Sequence, residues 1–91
     1  MQYKYVDIVK EILKILEKSL LVGRTVEKDE IWAARFGVSE KCMVSIFEEL
    51  LDSGYIKGGE IKVFSGVKTL IGLDKIEITL SGAEHLKYME E

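Results

Sequence analysis

Apolar residues recur at three-and-four spacing between residues 3 and 22, where Val6, Val9, Ile12, Leu13, Leu16 and Leu20 fall on one side of a helical wheel. That spacing predicts an amphipathic helix. At about 100° per residue the apolar arc also takes in Tyr5, Ile8, Ile15 and Val22 and becomes roughly 200° wide. Such an arc is broader than one packing face needs, so the helix is expected at the centre of the fold or against a partner. Lys10, Lys14 and Lys18 share its polar side with Asp7, Glu11 and Glu17, the mixture of a solvated face and not of a phosphate-binding stripe. Residues 23–26 form a connection with room for a short strand. A second helix is predicted over residues 27–36, with acids in its first turn, where they suit the helix dipole.

Gly37 then supplies a backbone position that can turn at positive φ, and Ser39 is a good N-cap for another helix. This third helix is predicted over residues 39–53. Its wheel puts Cys42, Met43, Ile46, Phe47, Leu50 and Leu51 on one arc and Lys41, Ser45, Glu48, Glu49 and Asp52 on the other, and Gly54 stops it. Beyond Gly54 the period falls towards 2, with Ile56, Ile61 and Val63 in one run and Ile76, Ile78 and Leu80 in another. A hairpin between those two runs is the expectation, joined by the long connection "FSGVKTLIGLDK" as a wing. Ser81 with Glu84 fits a capping box for a last short helix through Leu86 and Met89, with Thr79 as the alternative cap.

Helix, short strand, helix, three-residue turn, helix, hairpin is the winged-helix order, an α+β fold in which residues 1–91 form one domain ending in a short C-terminal helix. Residues 33–56 carry the signature. Ala33 is the small residue that helix-turn-helix proteins favour, Gly37-Val38-Ser39 is the turn, Met43, Phe47 and Leu50 point inward, and Gly54-Tyr55-Ile56 leads into the wing. Trp32, Phe36, Phe47 and Tyr55 have core spacing, and most of them are expected in one hydrophobic cluster. The segments "LLDSGYIKG" and "IEITLSGAEHLKYMEE" resemble the small bacterial and phage winged-helix family called YjcQ. The resemblance covers nearly the whole chain and implies the winged-helix fold together with a regulatory role.

Composition narrows the class of function. Of 91 residues 47% are apolar and 32% charged, an ordinary globular mixture. No apolar run approaches the roughly 20 residues needed to cross a bilayer, and the first residues lack the apolar stretch of a secretory signal. Together with a single cysteine, Cys42, this predicts a cytoplasmic protein that does not engage a membrane. His85 is the only histidine and has no nucleophile or second ligand in register, Cys42 reads as a small apolar residue, and Gly58-Gly59 lacks the helix and Lys-Ser/Thr of a phosphate-cradling loop. No catalytic or metal-binding constellation can be assembled, so the expectation is a non-enzyme without cofactor or metal.

Charge complicates the usual reading of a helix-turn-helix. The outward face of the third helix carries Lys41 and Ser45 beside Glu48, Glu49 and Asp52, and residues 27–54 hold three bases against seven acids. DNA presents a negative charge about every 1.7 Å of its axis, so this face has the wrong sign for ordinary major-groove reading. Residues 55–75, by contrast, carry Lys57, Lys62, Lys68 and Lys75 against two acids. The first expectation is therefore a transcription-regulator-like DNA-binding module whose wing leads, with Lys57, Lys62 and Lys68 on phosphates and Lys41 and Ser45 in support. The alternative is a protein-interaction module whose Glu48, Glu49 and Asp52 meet a basic partner surface. Either allows a homodimer through the first and last helices.

Overall fold

A computed structural model describes residues 4–90. The expected first helix begins as α1 at Tyr5, so its start at residue 3 lies outside the described residues. In chain order the elements are α1 (Tyr5–Val22), α2 (Lys28–Ile31), α3 (Ala33–Phe36), α4 (Glu40–Asp52), β1 (Ile56–Lys57), β2 (Glu60–Phe64), β3 (Val67–Ile71), a 3₁₀ turn (Leu73–Lys75), β4 (Glu77–Ile78) and α5 (Leu80–Glu90). This is the winged-helix layout: a helical unit ending in α4, a β-hairpin after it and a C-terminal helix packed back on α1.

The core is built by Ile8, Ile12, Leu13 and Leu16 of α1 against Phe36, Met43, Ile46 and Phe47, and it is closed by Ile56, Ile76, Ile78 and Leu86. Trp32 and Tyr55 pack on its edge, so the four aromatic residues join one cluster as expected. The buried stripe of α1 is narrower than its apolar arc, because Val6 and Leu20 are exposed. Val6 lies about 120° round the wheel from Ile12, the centre of the stripe. Leu20 belongs to the last turn, where Ser19 takes the buried position instead. Gly23 ends α1 at φ 73°, with Arg24 N–H bonded to Ser19 O at 3.0 Å. Ser19, the one buried polar side chain among the described residues, donates its hydroxyl hydrogen bond to the Arg24 carbonyl. Residues 23–26 form no strand; Val26 is buried there instead.

The second predicted helix is two short ones. Trp32 is extended, with φ −113° and ψ 175°, and divides α2 from α3. In a continuous helix Ile31, Trp32 and Ala33 would fan across about 200°. The break lets Ile31 and Ala33 both be buried while Trp32 meets Phe47 at a ring-centroid distance of 5.8 Å. Helix α4 matches the sequence pattern closely: Ser39 Oγ accepts from Cys42 N–H at 3.0 Å, and Gly54 at φ 76° terminates it. Val44, which belongs to neither expected arc, is buried outside the central cluster.

The hairpin differs most from expectation. β2 pairs with β3 from Glu60↔Ile71 to Phe64↔Val67, so "VKTLI" is the returning strand and not part of a long wing loop. The turn is only Ser65-Gly66, at φ 51° and 79°, the two successive positive values that match the right-handed twist of paired strands. Ile56 and Ile78 do pair, but in a separate two-residue ladder at the wing's base. Gly58, at φ 98°, crosses so close to the 3₁₀ turn there that a Cβ would lie 1.9 Å from Lys75 O. The glycine pair therefore has a packing role at the wing's root.

Thr79, not Ser81, caps α5. Its Oγ1 accepts from Gly82 N–H at 3.1 Å and donates to the Gly54 carbonyl, which ties the end of α4 to the start of α5. Ser81 lies two residues too late to do this, inside the first turn of α5, and is exposed. Among the described residues, no helix is long and apolar enough to cross a membrane.

Candidate nucleic-acid interface

The wing stands beside the outward face of α4, and between them lies a groove of about 710 Å³. Val44, Ser45 and Glu48 of α4 form one wall, Val67 to Leu70 of β3 the other, and Lys28, Trp32, Glu40 and Lys41 its end. Val44 is thus buried by the wing, which explains an apolar residue on the side of α4 away from the core. Lys28 Nζ stands 5.6 Å from the Trp32 ring centroid, and Trp32 Nε1 donates to Glu40 Oε1 at 3.4 Å. The aromatic ring thereby holds both a cation and an anion at the mouth of the groove.

Lys68 Nζ crosses the groove to both carboxylate oxygens of Glu48, at 2.9 and 3.1 Å. The lysine side chain is 57% exposed and the glutamate 31%, so solvent screens the pair and its worth is about 0–1 kcal/mol. It positions the wing more than it stabilises the fold. Lys62 lies one residue out of phase: it pairs with Thr69 across the hairpin, while Lys68 pairs with Val63. The two lysines consequently occupy opposite faces of the ribbon. Lys62 Nζ is 3.4 Å from Glu60 Oε1. Lys57, in the basal ladder, stands opposite Glu77.

The three acids of the outward face part company. Glu48 turns to the wing. Glu49, a helical step of about 100° further on, turns to α1 and accepts from the Tyr5 hydroxyl. Desolvation, followed by this bond and the charge of Glu49, pushes the Tyr5 phenol up to about 12. It is therefore a neutral donor at ordinary pH. Asp52 is exposed at the end of α4. The structure brings Lys41, Ser45, Lys68 and Glu48 to one groove, and keeps Lys57, Lys62, Glu49 and Asp52 outside its lining. Lys28, Trp32 and Val44 complete the groove but went unrecognised as site residues in the sequence. The four-residue spacing of Lys28 and Trp32 was a usable signal for two of them.

With this geometry in place, comparison decides the family: the profile of the YjcQ protein family matches residues 10–90, from the second turn of α1 to the end of α5. The chain belongs to the YjcQ family. Searches of curated proteins and of solved structures found no match. In this YjcQ-family chain the matched region contains the whole groove. It also contains His85, whose ring stacks on Tyr55 at 4.4 Å between centroids and 10° between planes. That stack joins α5 to the segment leading into the wing.

Proposed function

We propose that this YjcQ-family protein is a regulator-like DNA-binding module in which the wing leads and the first half of α4 supports it. The carrying observation is the charge around the groove: three lysines, Lys28, Lys41 and Lys68, against two glutamates, Glu40 and Glu48. The acidic count of the outward face thus overstates the repulsion at the position where a recognition helix reads DNA, its first turns. Glu49 is drawn aside by Tyr5, and Glu48 is covered by Lys68. Phosphate oxygens can replace the Glu48 carboxylate on Lys68, since both are charged acceptors of similar geometry.

The test is fluorescence anisotropy on a mixed-sequence duplex at low salt, then a salt titration. Four lysines on phosphates, with Lys62 as the fourth, give a log–log slope of about −3 to −4. Lys28→Glu with Lys41→Glu should weaken binding, and Glu48→Gln should strengthen it by removing repulsion. No binding at low salt would refute the proposal.

The exposed Asp52 beside Glu49 favours a second reading, a protein-interaction module in which Glu48, Glu49 and Asp52 meet a basic partner. It predicts a nuclease-resistant protein complex that is lost when Glu49 and Asp52 are both changed to lysine. Self-association is supported by Tyr5, Val6 and Tyr88, which are exposed along one groove between α1, α4 and α5. Light scattering that reports a monomer at high concentration would remove the dimer.

A further inference from the structure

Three apolar side chains crown the wing. Val63, Phe64 and Val67 are 62, 54 and 64% exposed around the Ser65-Gly66 turn, and none belongs to the core cluster or packs against it. Single exposed apolar residues need no explanation, but three around one turn leave the outermost point of the hairpin water-averse. The register distributes them over both faces. Phe64 and Val67 are a cross-strand pair on one face, with Lys62 one step behind, while Val63 is on the other face with Lys68 directly across. Each face therefore has the same plan, an apolar tip backed by one lysine.

A ribbon that lies flat on a partner gathers its cations on one face. A ribbon whose tip enters a groove between two phosphate strands meets negative charge on both. We infer that the wing tip enters the minor groove of DNA, with the Phe64 ring as a wedge against a base step and Lys62 and Lys68 on the two flanking strands. This rests on the DNA-binding reading and adds a mode to it, deformation of the duplex. The minor groove is about 6 Å wide, enough for a ring edge but not for a ribbon, so entry requires widening and partial unstacking. Apolar wedges of this kind kink DNA by about 20–90° towards the major groove. A polyanion is favoured over a lipid surface because the groove beside α4 carries three lysines, Lys28, Lys41 and Lys68, against Glu40 and Glu48, a net positive lining that leads away from the tip. Lys62 and Lys68 exchange Glu60 and Glu48 for phosphates as the tip enters.

The experiment is end-to-end energy transfer on short duplexes labelled at both ends, one with a central TA step and one with an A-tract. The wild-type protein should shorten the first more than the second, since TA steps unstack easily and A-tracts are stiff. Phe64→Ala should retain affinity to within about threefold, because phosphate contacts dominate binding, yet abolish both the shortening and the TA preference. Phe64 is exposed, so the variant keeps its fold, which circular dichroism verifies. Binding without shortening, or shortening unchanged in Phe64→Ala, overturns the wedge and leaves DNA binding intact. No binding to either duplex at low salt overturns both. Phe64-dependent sedimentation with phosphatidylserine vesicles, without DNA bending, assigns the tip to a membrane and also overturns the wedge.

Discussion

Gly82 offers the sharpest test of how this structure is held together, because two arguments about it give opposite signs. It lies in the first turn of α5, and replacing a helical glycine with alanine ordinarily stabilises by roughly 0.5–1 kcal/mol through reduced freedom of the unfolded chain. A Cβ at this position, however, would stand 2.1 Å from Tyr55 O and 2.8 Å from Ile78 Cγ1. The obstacle is backbone and cannot swing away. Tyr55 O already accepts from Thr79 N–H at 3.0 Å, and Thr79 Oγ1 is held by both Gly54 and Gly82. Relief requires lifting α5 from the segment that enters the wing, which loosens Leu86 in the core and the stack of His85 on Tyr55. Overpacking of this kind costs about 1–3 kcal/mol. After the propensity gain is subtracted, a net loss of roughly 0.5–2 kcal/mol remains, or about 2–16 °C in Tm for a domain of this size. Thermal denaturation of Gly82→Ala beside Ser81→Ala decides the matter, since exposed Ser81 should shift stability by no more than about 0.5 kcal/mol. A Gly82→Ala protein as stable as the wild type, or more so, would refute the close approach.

A double-mutant cycle on Glu48→Gln and Lys68→Met should give a coupling of at most about 1 kcal/mol that fades as salt is raised; a larger or salt-independent coupling would mean a buried bridge. Tyr5, held at about 12 against an ordinary 10, keeps its proton in the folded state while the unfolded chain loses it, so its contribution is full below pH 10 and is lost as pH rises towards 12. Tyr5→Phe should flatten that part of the alkaline profile. Glu30 is lowered to about 2, chiefly by its two 2.8 Å bonds with Arg24 and then by the Glu27 backbone N–H. Its contribution is therefore present above its usual 4.5 and is lost as pH falls towards 2. Comparing acid denaturation of Glu30→Gln with the wild type checks this; parallel profiles would contradict it.

The helix-turn-helix was legible because local rules and burial agree there. The cap at Ser39, the stop at Gly54 and the spacing of Met43, Phe47 and Leu50 all name the same helix. Where one pattern served two purposes, the reading failed. Ile31, Trp32 and Ala33 all seek the core, and only a kink satisfies them, which helical periodicity does not foresee. The wing failed for a different reason. Its strongest β-formers, Ile56 and Ile78, do pair, but they form the root, while the hairpin proper is set by the two-residue turn at Ser65-Gly66. Turn geometry, more than apolar alternation, fixes register in a ribbon with both faces mostly in water.

For the site, composition was a poor guide because charge acts through partners. Glu48 and Glu49 are adjacent and chemically identical, and the sequence treats them as one acidic patch. The helical step between them sends one to the wing and the other to α1. There Lys68, twenty residues on, covers the first, and Tyr5, forty-four residues back, occupies the second. Neither partner is visible from the wheel of α4, because both depend on where the hairpin and α1 lie after the core has formed. The same logic reverses the meaning of the wing lysines. Counted along the chain they form one basic segment; with the register known, Lys62 and Lys68 stand on opposite faces of the ribbon and do not form one patch. The sign of the charge around α4 is thus a tertiary property. It argues against reading this helix-turn-helix by its own residues alone, because the groove beside α4 is completed by β3 of the wing.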